Sequence, residues 1–189
     1  MCRAETDKIE QFDPTYYSKM YTRIWSTVIT CYLDYYLLEF YNRQDEKTKE
    51  EQSRHTVLVH LTYLVQKDLC LNLWKICYDK NADSSTISKL NTYLRKHNVS
   101  SAYKQSAHMK QMGYCIREAR NKYVAHLDVE STENSISTSS MKQLLDDAKD
   151  ALNHLCLEEY GVKKITDISL SKMDLNITLD AISILRSVT

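Results

Sequence analysis

The sequence predicts an all-α protein, a helical bundle of four to five long helices in one domain. Only two of its 189 residues are glycine and one is proline. A β-sheet needs a turn about every 8–12 residues, and turns favour Gly, Pro and Asn, whereas long helices need few loops. Apolar residues also recur every three or four positions, the period of an α-helix. We expect the bundle over residues 1–160 and a C-terminal extension, of uncertain structure, packed on the same domain over residues 161–189.

The first helix is predicted over residues 12–43. Asp13 suits the N-cap, because its carboxylate can accept hydrogen bonds from the first free backbone N–H groups, and Pro14 suits the first helical position. The expected buried stripe consists of Tyr17, Tyr21, Ile24, Val28, Tyr32 and Tyr35. Such a tyrosine stripe is typical of a core whose hydroxyls reach the rim, and stacking on nucleic-acid bases is the alternative.

The sequence pattern in the middle of the chain predicts one long helix and one short helix. The charged residues 45–55 are either a link or a frayed helix start. A long helix follows at residues 56–79, with a buried stripe of Leu58, Leu61, Val65, Leu69, Leu73 and Ile76. Residues 80–85 predict a loop with a serine cap. The short helix over residues 85–98 should direct Ile87, Leu90 and Leu94 inward.

The fourth helix is predicted over residues 99–126. The Ser- and Thr-rich residues 131–140 predict a loop, because these side chains compete for backbone hydrogen bonds. A fifth helix should span residues 141–161 and end at Gly161. Its apolar face consists of Met141, Leu144, Leu145, Ala148, Leu152, Leu155 and Cys156. Residues 165–189 allow either a helix or a strand.

Basic residues are concentrated in one stretch of a chain whose formal net charge is zero. Between residues 95 and 126 there are seven basic residues and one acidic residue, Glu118. The basic residues are Arg95, Lys96, Lys104, Lys110, Arg117, Arg120 and Lys122. A local basic stripe is typical of a surface that binds phosphate groups. The alternative is a solvated helix face that docks near the acidic C-terminal part of the chain.

Cysteine usage and hydropathy indicate a cytoplasmic protein that does not enter a membrane. None of the six cysteines forms a Cys-x-x-Cys pair, so we expect free, buried thiols in a reducing compartment. The spacing of His and Cys does not match a metal site, and we expect neither a metal nor a cofactor. The polar N-terminus predicts no signal peptide, and no apolar run is long enough to cross a bilayer.

Three polar residues in the fourth helix could carry RNA chemistry: Arg120, Asn121 and His126. A guanidinium is permanently charged and grips phosphate oxygens, and an imidazole titrates near neutral pH and can transfer protons. Together they could cleave RNA without a metal. One group would help to deprotonate a ribose 2′-hydroxyl, which attacks the neighbouring phosphodiester, and the arginine would stabilise the charge of the transition state.

Helical geometry alone does not bring Arg120 and His126 together. Six positions at about 100° per residue place them roughly 120° apart around a straight helix. Convergence needs a helix end near Ala125, or a second subunit that supplies its own copy. The alternative for His126 is an ordinary core histidine, because it continues the stripe formed by Ile116 and Tyr123.

The segment RNKYVAH at residues 120–126 resembles the Arg-polar-x(3–5)-His signature of the HEPN superfamily. Its longer form, Arg-[Asn/Asp]-Lys-x-x-Ala-His-x-Asp, is similar to the pattern of the abortive-infection U-type branch and ends here at Asp128. Residues 69–94 resemble the helix–loop–helix of the same branch, in which an apolar helix ends in an aspartate, here Asp79, and a short loop leads to a serine-led helix. The likeness spans residues 12–160.

This resemblance implies a HEPN-like homodimer in which the paired motifs meet in a cleft at the interface. Many members are metal-independent ribonucleases of toxin–antitoxin or phage-defence systems. By this likeness Arg120 would hold the phosphate, Asn121 would orient it and His126 would transfer the proton. One toxin subgroup has a tyrosine two residues after the histidine, as the target of its antitoxin. Asp128 stands there in this chain, so that route of regulation is not expected.

We therefore expect an endoribonuclease of a phage-defence or toxin–antitoxin system. Its expected partners are RNA, a second copy of the chain, and an antitoxin or another defence protein. The expected RNA-binding residues beside the catalytic set are Arg117, Lys122, Lys110 and Lys104. The alternative is a non-catalytic HEPN dimer that binds a nucleotide or a partner protein, and the neutral overall charge favours it.

Overall fold

The computed structural model describes residues 11–54, 56–99, 103–125, 136–167, 169–174, 176–177 and 180. Within these ranges the chain is all-α, as predicted, and contains no strand. Its helices are α1 (Pro14–Asn42), α2 (Glu46–Ser53), α3 (Thr56–Cys77), α4 (Ile87–Lys96), α5 (Ala107–Ala125) and α6 (Thr138–His154). Helices α1, α3, α5 and α6 pack around one apolar core, and α4 closes against α1, α3 and α6.

Helix α1 begins where its capping residues predict. The Asp13 carboxylate accepts hydrogen bonds from the backbone N–H groups of the next turn, the first at 2.8 Å, and Pro14 is the first helical residue. Three tyrosines of the stripe are buried, and their hydroxyls donate to Leu155 O, Lys163 O and the Asp146 carboxylate: Tyr17, Tyr21 and Tyr32. Burial raises the pKa of all three hydroxyls. These rings are core and cannot stack on a base.

Helix α3 departs from the prediction in its first half. Leu61, predicted to be buried, is 45% exposed, whereas Leu69, Leu73 and Ile76 are buried. The side chain of Leu58 lies outside the described set. Periodicity identifies residues that share a face, but it does not show how far the neighbouring helices extend along that face. Upstream, residues 46–53 form α2, so most of the charged segment is a helix and not a link.

The boundaries around α4 and α5 differ from those predicted. The cap of α4 is Thr86, not a serine, and its side chain accepts from Lys89 N at 3.1 Å. Helix α5 begins at Ala107, not near residue 99. The reason is that the Asn91 side-chain amide donates to the backbone carbonyl of Tyr103 (3.0 Å) and accepts from its N–H (3.2 Å). These two bonds hold residue 103 against α4 in a non-helical conformation.

Helix α6 begins earlier and ends earlier than predicted. Ser137 is its N-cap and accepts from Ser140 N at 3.1 Å, so α6 starts inside the expected serine-rich loop. The helix ends at His154, and Cys156 is half-buried beyond it. Gly161, with φ of 78°, ends the short 3₁₀ turn at Glu158–Tyr160 and not the helix.

The C-terminal extension has irregular backbone over residues 161–166, and its described residues from 167 onward are helical, so no strand forms there. Residues 167, 169–174, 176–177 and 180 have helical backbone. Val162, Ile165 and Leu170 are buried in the same core as the bundle. No helix among the described residues is long and apolar enough to cross a membrane.

The five described cysteines are free thiols, and three of them are buried as predicted: Cys31, Cys70 and Cys77. Burial raises their pKa, to about 12 for Cys70. Cys115 is exposed on α5, which contradicts the expectation of buried thiols at this position. The buried stripe of α5 consists of Met109, Met112, Ile116 and Ala119, and Cys115 lies beside that stripe and not in it, so a helical context was not enough to bury it. Cys2 lies outside the described residues.

Candidate nucleic-acid-binding site

Helix α5 carries most of the predicted site residues, and a polar cluster holds its N-terminal end. Ser106 caps the helix, because its Oγ accepts from the backbone N–H of Met109 at 3.0 Å and donates to Asp147 Oδ2 at 2.9 Å. The same carboxylate oxygen lies 2.9 Å from Nδ1 of His108. Asp147 belongs to α6, so this cluster ties the start of α5 to its neighbour.

A close contact with α3 sets the position of the middle of α5. The Tyr78 hydroxyl, just after α3, donates to the backbone carbonyl of Met109. The Tyr78 ring then lies against Gly113, where an added Cβ would stand 2.9 Å from Cε1 and 3.2 Å from Cδ1. Glycine therefore lets the ring pack directly on the backbone of α5. The contact fixes which residues of α5 face the end of α3.

Two of the three predicted catalytic residues lie side by side on α5. The Arg120 guanidinium is half-buried and sits 5.5 Å from the ring centroid of Trp74, a cation–π contact that orients it. Its Nη1 donates to Asn121 Oδ1 at 3.4 Å, and Asn121 is exposed. His126 lies outside the described residues, so its position relative to Arg120 stays a prediction.

An open groove of about 620 Å³ runs between α5, the end of α3 and the loop before α4. This α3–α5 groove is lined in part by Trp74, Tyr78, Lys80, Lys110, Tyr114 and Arg117. Lys110 and Arg117 are two of the four predicted RNA-binding residues. Lys104 is exposed but precedes the start of α5 and does not line the groove, contrary to its expected place on the same helix. The side chain of Lys122 is outside the described set.

Positive charge dominates the α3–α5 groove. Its lining contains four basic side chains and one carboxylate: Lys80, Lys89, Lys110, Arg117 and Asp79. The Lys89 ammonium serves the fold, because it donates to three backbone carbonyls of residues 81–84. The Arg117 side chain is 52% exposed, and its Nε lies 3.6 Å from Glu118, a surface pair of little energetic weight. Lys80, Lys110 and Arg117 therefore supply the charge that a bound anion would meet.

Three aromatic rings line the same groove, and sequence reasoning did not identify them as site residues: Trp74, Tyr78 and Tyr114. Tyr114 is 63% exposed, and the Arg117 guanidinium lies 5.1 Å from its ring centroid. Exposed rings beside cations are typical of single-stranded nucleic-acid sites, because every base can stack on a ring. A signal for Tyr114 existed, since it stands four residues after Lys110 and three before Arg117 on one helix face. Trp74 belongs to α3 and Tyr78 directly follows it, so the pattern of α5 gave no signal for either residue.

Two further observations bear on the class of protein. Among the described residues, no group of three or more His, Cys, Asp or Glu side chains is arranged to hold a metal ion. Comparisons with protein-family models, with curated proteins and with solved structures find no match to this chain. The HEPN resemblance therefore rests on the residues of its motifs.

Proposed function

We propose that this protein is a metal-independent endoribonuclease of the HEPN type, acting in a phage-defence or toxin–antitoxin system. The α3–α5 groove is the observation that supports the proposal most. Lys110 and Arg117 line it together with the exposed ring of Tyr114 and the half-buried rings of Trp74 and Tyr78. Arg120 and Asn121 follow on α5 outside this lining, and Arg120 contacts the groove residue Trp74. Cations hold the phosphates of a single strand, and the rings accept its bases.

The proposed reaction needs one proton acceptor, one proton donor and a fixed cation. His126 takes the proton of a ribose 2′-hydroxyl, and O2′ attacks the adjacent phosphorus. The P–O5′ bond breaks, and the protonated His126 returns its proton to O5′ as it leaves, which yields a 2′,3′-cyclic phosphate and a 5′-hydroxyl and restores the neutral imidazole. Arg120 binds the non-bridging oxygens as their negative charge grows, and Asn121 orients the phosphate. The contact with Trp74 holds the Arg120 guanidinium in place before substrate binds, which lowers the cost of ordering it.

A two-fold homodimer is part of the proposal, because a second copy of α5 can supply the His126 that one straight helix directs away from Arg120. A C2 interface brings the same surface of both subunits together. The dimer should persist in sedimentation at tens of micromolar, about the range in which a standard-sized interface is stable. An antitoxin or another defence protein remains the proposed regulator of the site.

The test is cleavage of single-stranded and structured RNA by the purified protein in excess EDTA. His126→Ala should lower the rate about 10²–10⁴-fold, the usual effect of removing an acid–base group. Arg120→Ala should lower it about 10²–10³-fold, because transition-state charge is left unpaired. Arg43→Ala is the matched control, since Arg43 is a surface arginine at the end of α1 that pairs only with Glu39 among the described residues.

Melting curves of the same variants separate the two interpretations of His126. A histidine that faces a cleft can be truncated with little change in Tm, whereas a core histidine costs stability on truncation and leaves no activity to lose. Failure of the wild-type protein to cut any RNA of the panel, or cleavage by His126→Ala at the wild-type rate, would rule out the ribonuclease.

The second candidate is a non-catalytic dimer that binds a nucleotide or a partner protein. One observation favours it: the α3–α5 groove, at about 620 Å³, is within the size range of small-ligand sites. In that case RNA or nucleotide binding should depend on Arg117 and Lys110 with no cleavage by the wild-type protein.

A further inference from the structure

A second basic groove of about 570 Å³ lies on the other side of the loop that precedes α4, between α1 and α4. The side chains that give this α1–α4 groove its character are Tyr16, Lys19, Arg23, Asp83, Tyr93 and Lys96. Of these, Tyr16, Lys19 and Arg23 belong to the first turns of α1, outside the basic stretch at residues 95–126. The prediction from charge distribution therefore missed this groove.

The cations of α1 stand in an arrangement that stability does not explain. Lys19 and Arg23 are exposed and four residues apart, so they share one face of α1. Within the part of the chain that the structure describes, neither forms an ion pair, and Asp83 is the one carboxylate in the lining. Like charges at this spacing weaken a helix. A polyanion that binds both would offset that cost.

The same groove contains a rigid aromatic platform. Tyr16 is 49% exposed, and its ring centroid lies 5.0 Å from that of Tyr93. Tyr93 cannot turn away, because its hydroxyl accepts from Asp13 N at 2.8 Å and donates to Asp13 O at 3.1 Å. The outer part of Tyr16 is therefore a supported surface on which an unpaired base can stack.

The two grooves are adjacent. Ser88 and Lys89 line both of them. The Lys89 ammonium donates to the carbonyls of Ala82 and Ser84, each at 3.0 Å, so one half-buried cation holds the loop between the grooves. A strand that lies in the α3–α5 groove can therefore pass over Ser88 and enter the α1–α4 groove.

We propose that the α1–α4 groove binds the continuation of the same single-stranded RNA that occupies the α3–α5 groove. Lys19 and Arg23 contact its phosphates, and Tyr16 stacks on an unpaired base. A single strand fits better than a duplex, because stacking on an exposed ring requires a base that is free of its partner. The identity of the ligand as RNA rests on the proposed function, whereas the groove and its charges do not.

The test measures binding of uncleavable 2′-O-methyl single strands to the full chain by fluorescence anisotropy. One strand has about four nucleotides, enough for one groove, and the other about twelve, enough for both. The double variant Lys19→Gln, Arg23→Gln should weaken binding of the long strand about 5- to 20-fold and reduce its log–log salt slope by about 1.4, because each phosphate contact contributes about 0.7. Binding of the short strand should not change.

Tyr16→Ala tests the proposed base stacking. It should weaken binding of the long strand roughly 5- to 100-fold with little change in the salt slope. Arg43→Gln is the control for the loss of one exposed positive charge on α1. Equal affinity of the wild type and the double variant for the long strand would overturn the proposal. So would variant-sensitive binding of duplex RNA, of an acidic peptide or of anionic vesicles that is tighter than binding of the single strand.

The outcome is separable from that of the ribonuclease proposal. Binding of the uncleavable long strand that depends on Lys19 and Arg23, in a protein that cuts no RNA, supports the second groove and rejects the nuclease. Cleavage that requires Arg120, together with long-strand binding that is insensitive to Lys19 and Arg23, supports the nuclease and rejects the second groove.

Discussion

Substitution of Gly113 by alanine should destabilise the protein, although the same change stabilises an ordinary helix. In a helix interior, alanine is favoured over glycine by about 1 kcal/mol. At Gly113, however, the new Cβ would stand 2.9 Å from Cε1 of Tyr78, closer than carbon atoms come in folded proteins. The ring cannot swing aside freely, because its hydroxyl is bonded to Met109 O and its other side faces Trp74, with ring centroids 5.7 Å apart.

The expected magnitude follows from these two opposing effects. Overpacking of this kind costs about 1–3 kcal/mol, so the net loss on Gly113→Ala should be on the order of 0–2 kcal/mol. Removing the ring reverses the sign. In a Tyr78→Ala background, Gly113→Ala should stabilise by about 0.5–1 kcal/mol, because only the helix-propensity gain is left. The coupling energy between the two positions should be about 1–3 kcal/mol.

Urea unfolding of the four proteins of this cycle measures the coupling. The exposed position Gln111, on the same helix, gives the matched control, because the difference between Gln111→Gly and Gln111→Ala reports the glycine-to-alanine term alone. If Gly113→Ala stabilises the wild-type protein as much as the control difference does, the packing of Tyr78 on the backbone of α5 is wrong. The orientation of α5 toward the α3–α5 groove would then be wrong as well.

Two further predictions concern pH and thiol chemistry. Burial, and secondarily the nearby Asp68, raises the pKa of Asp34 from 3.8 to about 7, and Asp34 Oδ2 has no hydrogen-bond partner among the described residues. The wild type should therefore lose stability as the pH rises from about 4 to about 7, where the unfolded chain releases this proton and the folded chain keeps it. At pH 8, Asp34→Asn should be more stable than the wild type by on the order of 1–3 kcal/mol, a range that allows for solvent screening at a half-buried site. Near pH 4 the two proteins should differ little. An equal gain in Tm at both pH values would contradict this prediction. In native protein, an alkylating reagent mapped by mass spectrometry should modify the exposed Cys115 quickly, while Cys70 and Cys77 react only on unfolding; comparable native rates at all three would contradict the described core.

The parts of the fold that the sequence predicts are those set by local signals. The Asp13–Pro14 pair marks the start of α1 because both effects, a carboxylate cap and a proline with fixed φ, act within one turn. The helical period predicts the buried stripe of α1 from Tyr17 to Tyr32, whereas Tyr35, predicted in the same stripe, is only partly buried. Leu61 shows the limit of that reasoning, since its burial depends on how far other helices extend and not on its own neighbours.

The start of α5 could not be predicted for a related reason. Residues 99–106 have acceptable helical composition, but Asn91 of α4 holds the backbone of Tyr103, and Asp147 of α6 holds the Ser106 cap. Both partners are distant in the sequence. The local sequence pattern allows residues 99–106 to be helical or non-helical, and it does not show which of the two these tertiary hydrogen bonds select.

The same distinction applies to the candidate site: the features set within one helix were predictable, and the contacts between helices were not. Lys110 and Arg117 are seven residues apart, so their shared face was predictable, and the structure places both in one groove. Trp74, which orients Arg120, lies on a different helix. Its contact with Arg120 depends on how α3 packs against α5, and the sequence does not predict that packing. The α1–α4 groove is formed by residues of α1 and of the α4 region, which are distant in the sequence, so a search for basic stretches along the chain could not find it.

The claim that His126 and Arg120 promote attack by a ribose 2′-hydroxyl is tested most directly by single-nucleotide substitution in the substrate. The measurement is single-turnover cleavage, in excess EDTA, of an RNA with one cleavage site and of the same RNA with 2′-deoxyribose at the nucleotide 5′ to the scissile phosphate. We predict that the wild-type protein cuts the first to a 2′,3′-cyclic phosphate and leaves that bond of the second intact, because the nucleophile is missing. Cleavage of the 2′-deoxy bond at a comparable rate, or no cleavage of either RNA, would contradict the proposed mechanism.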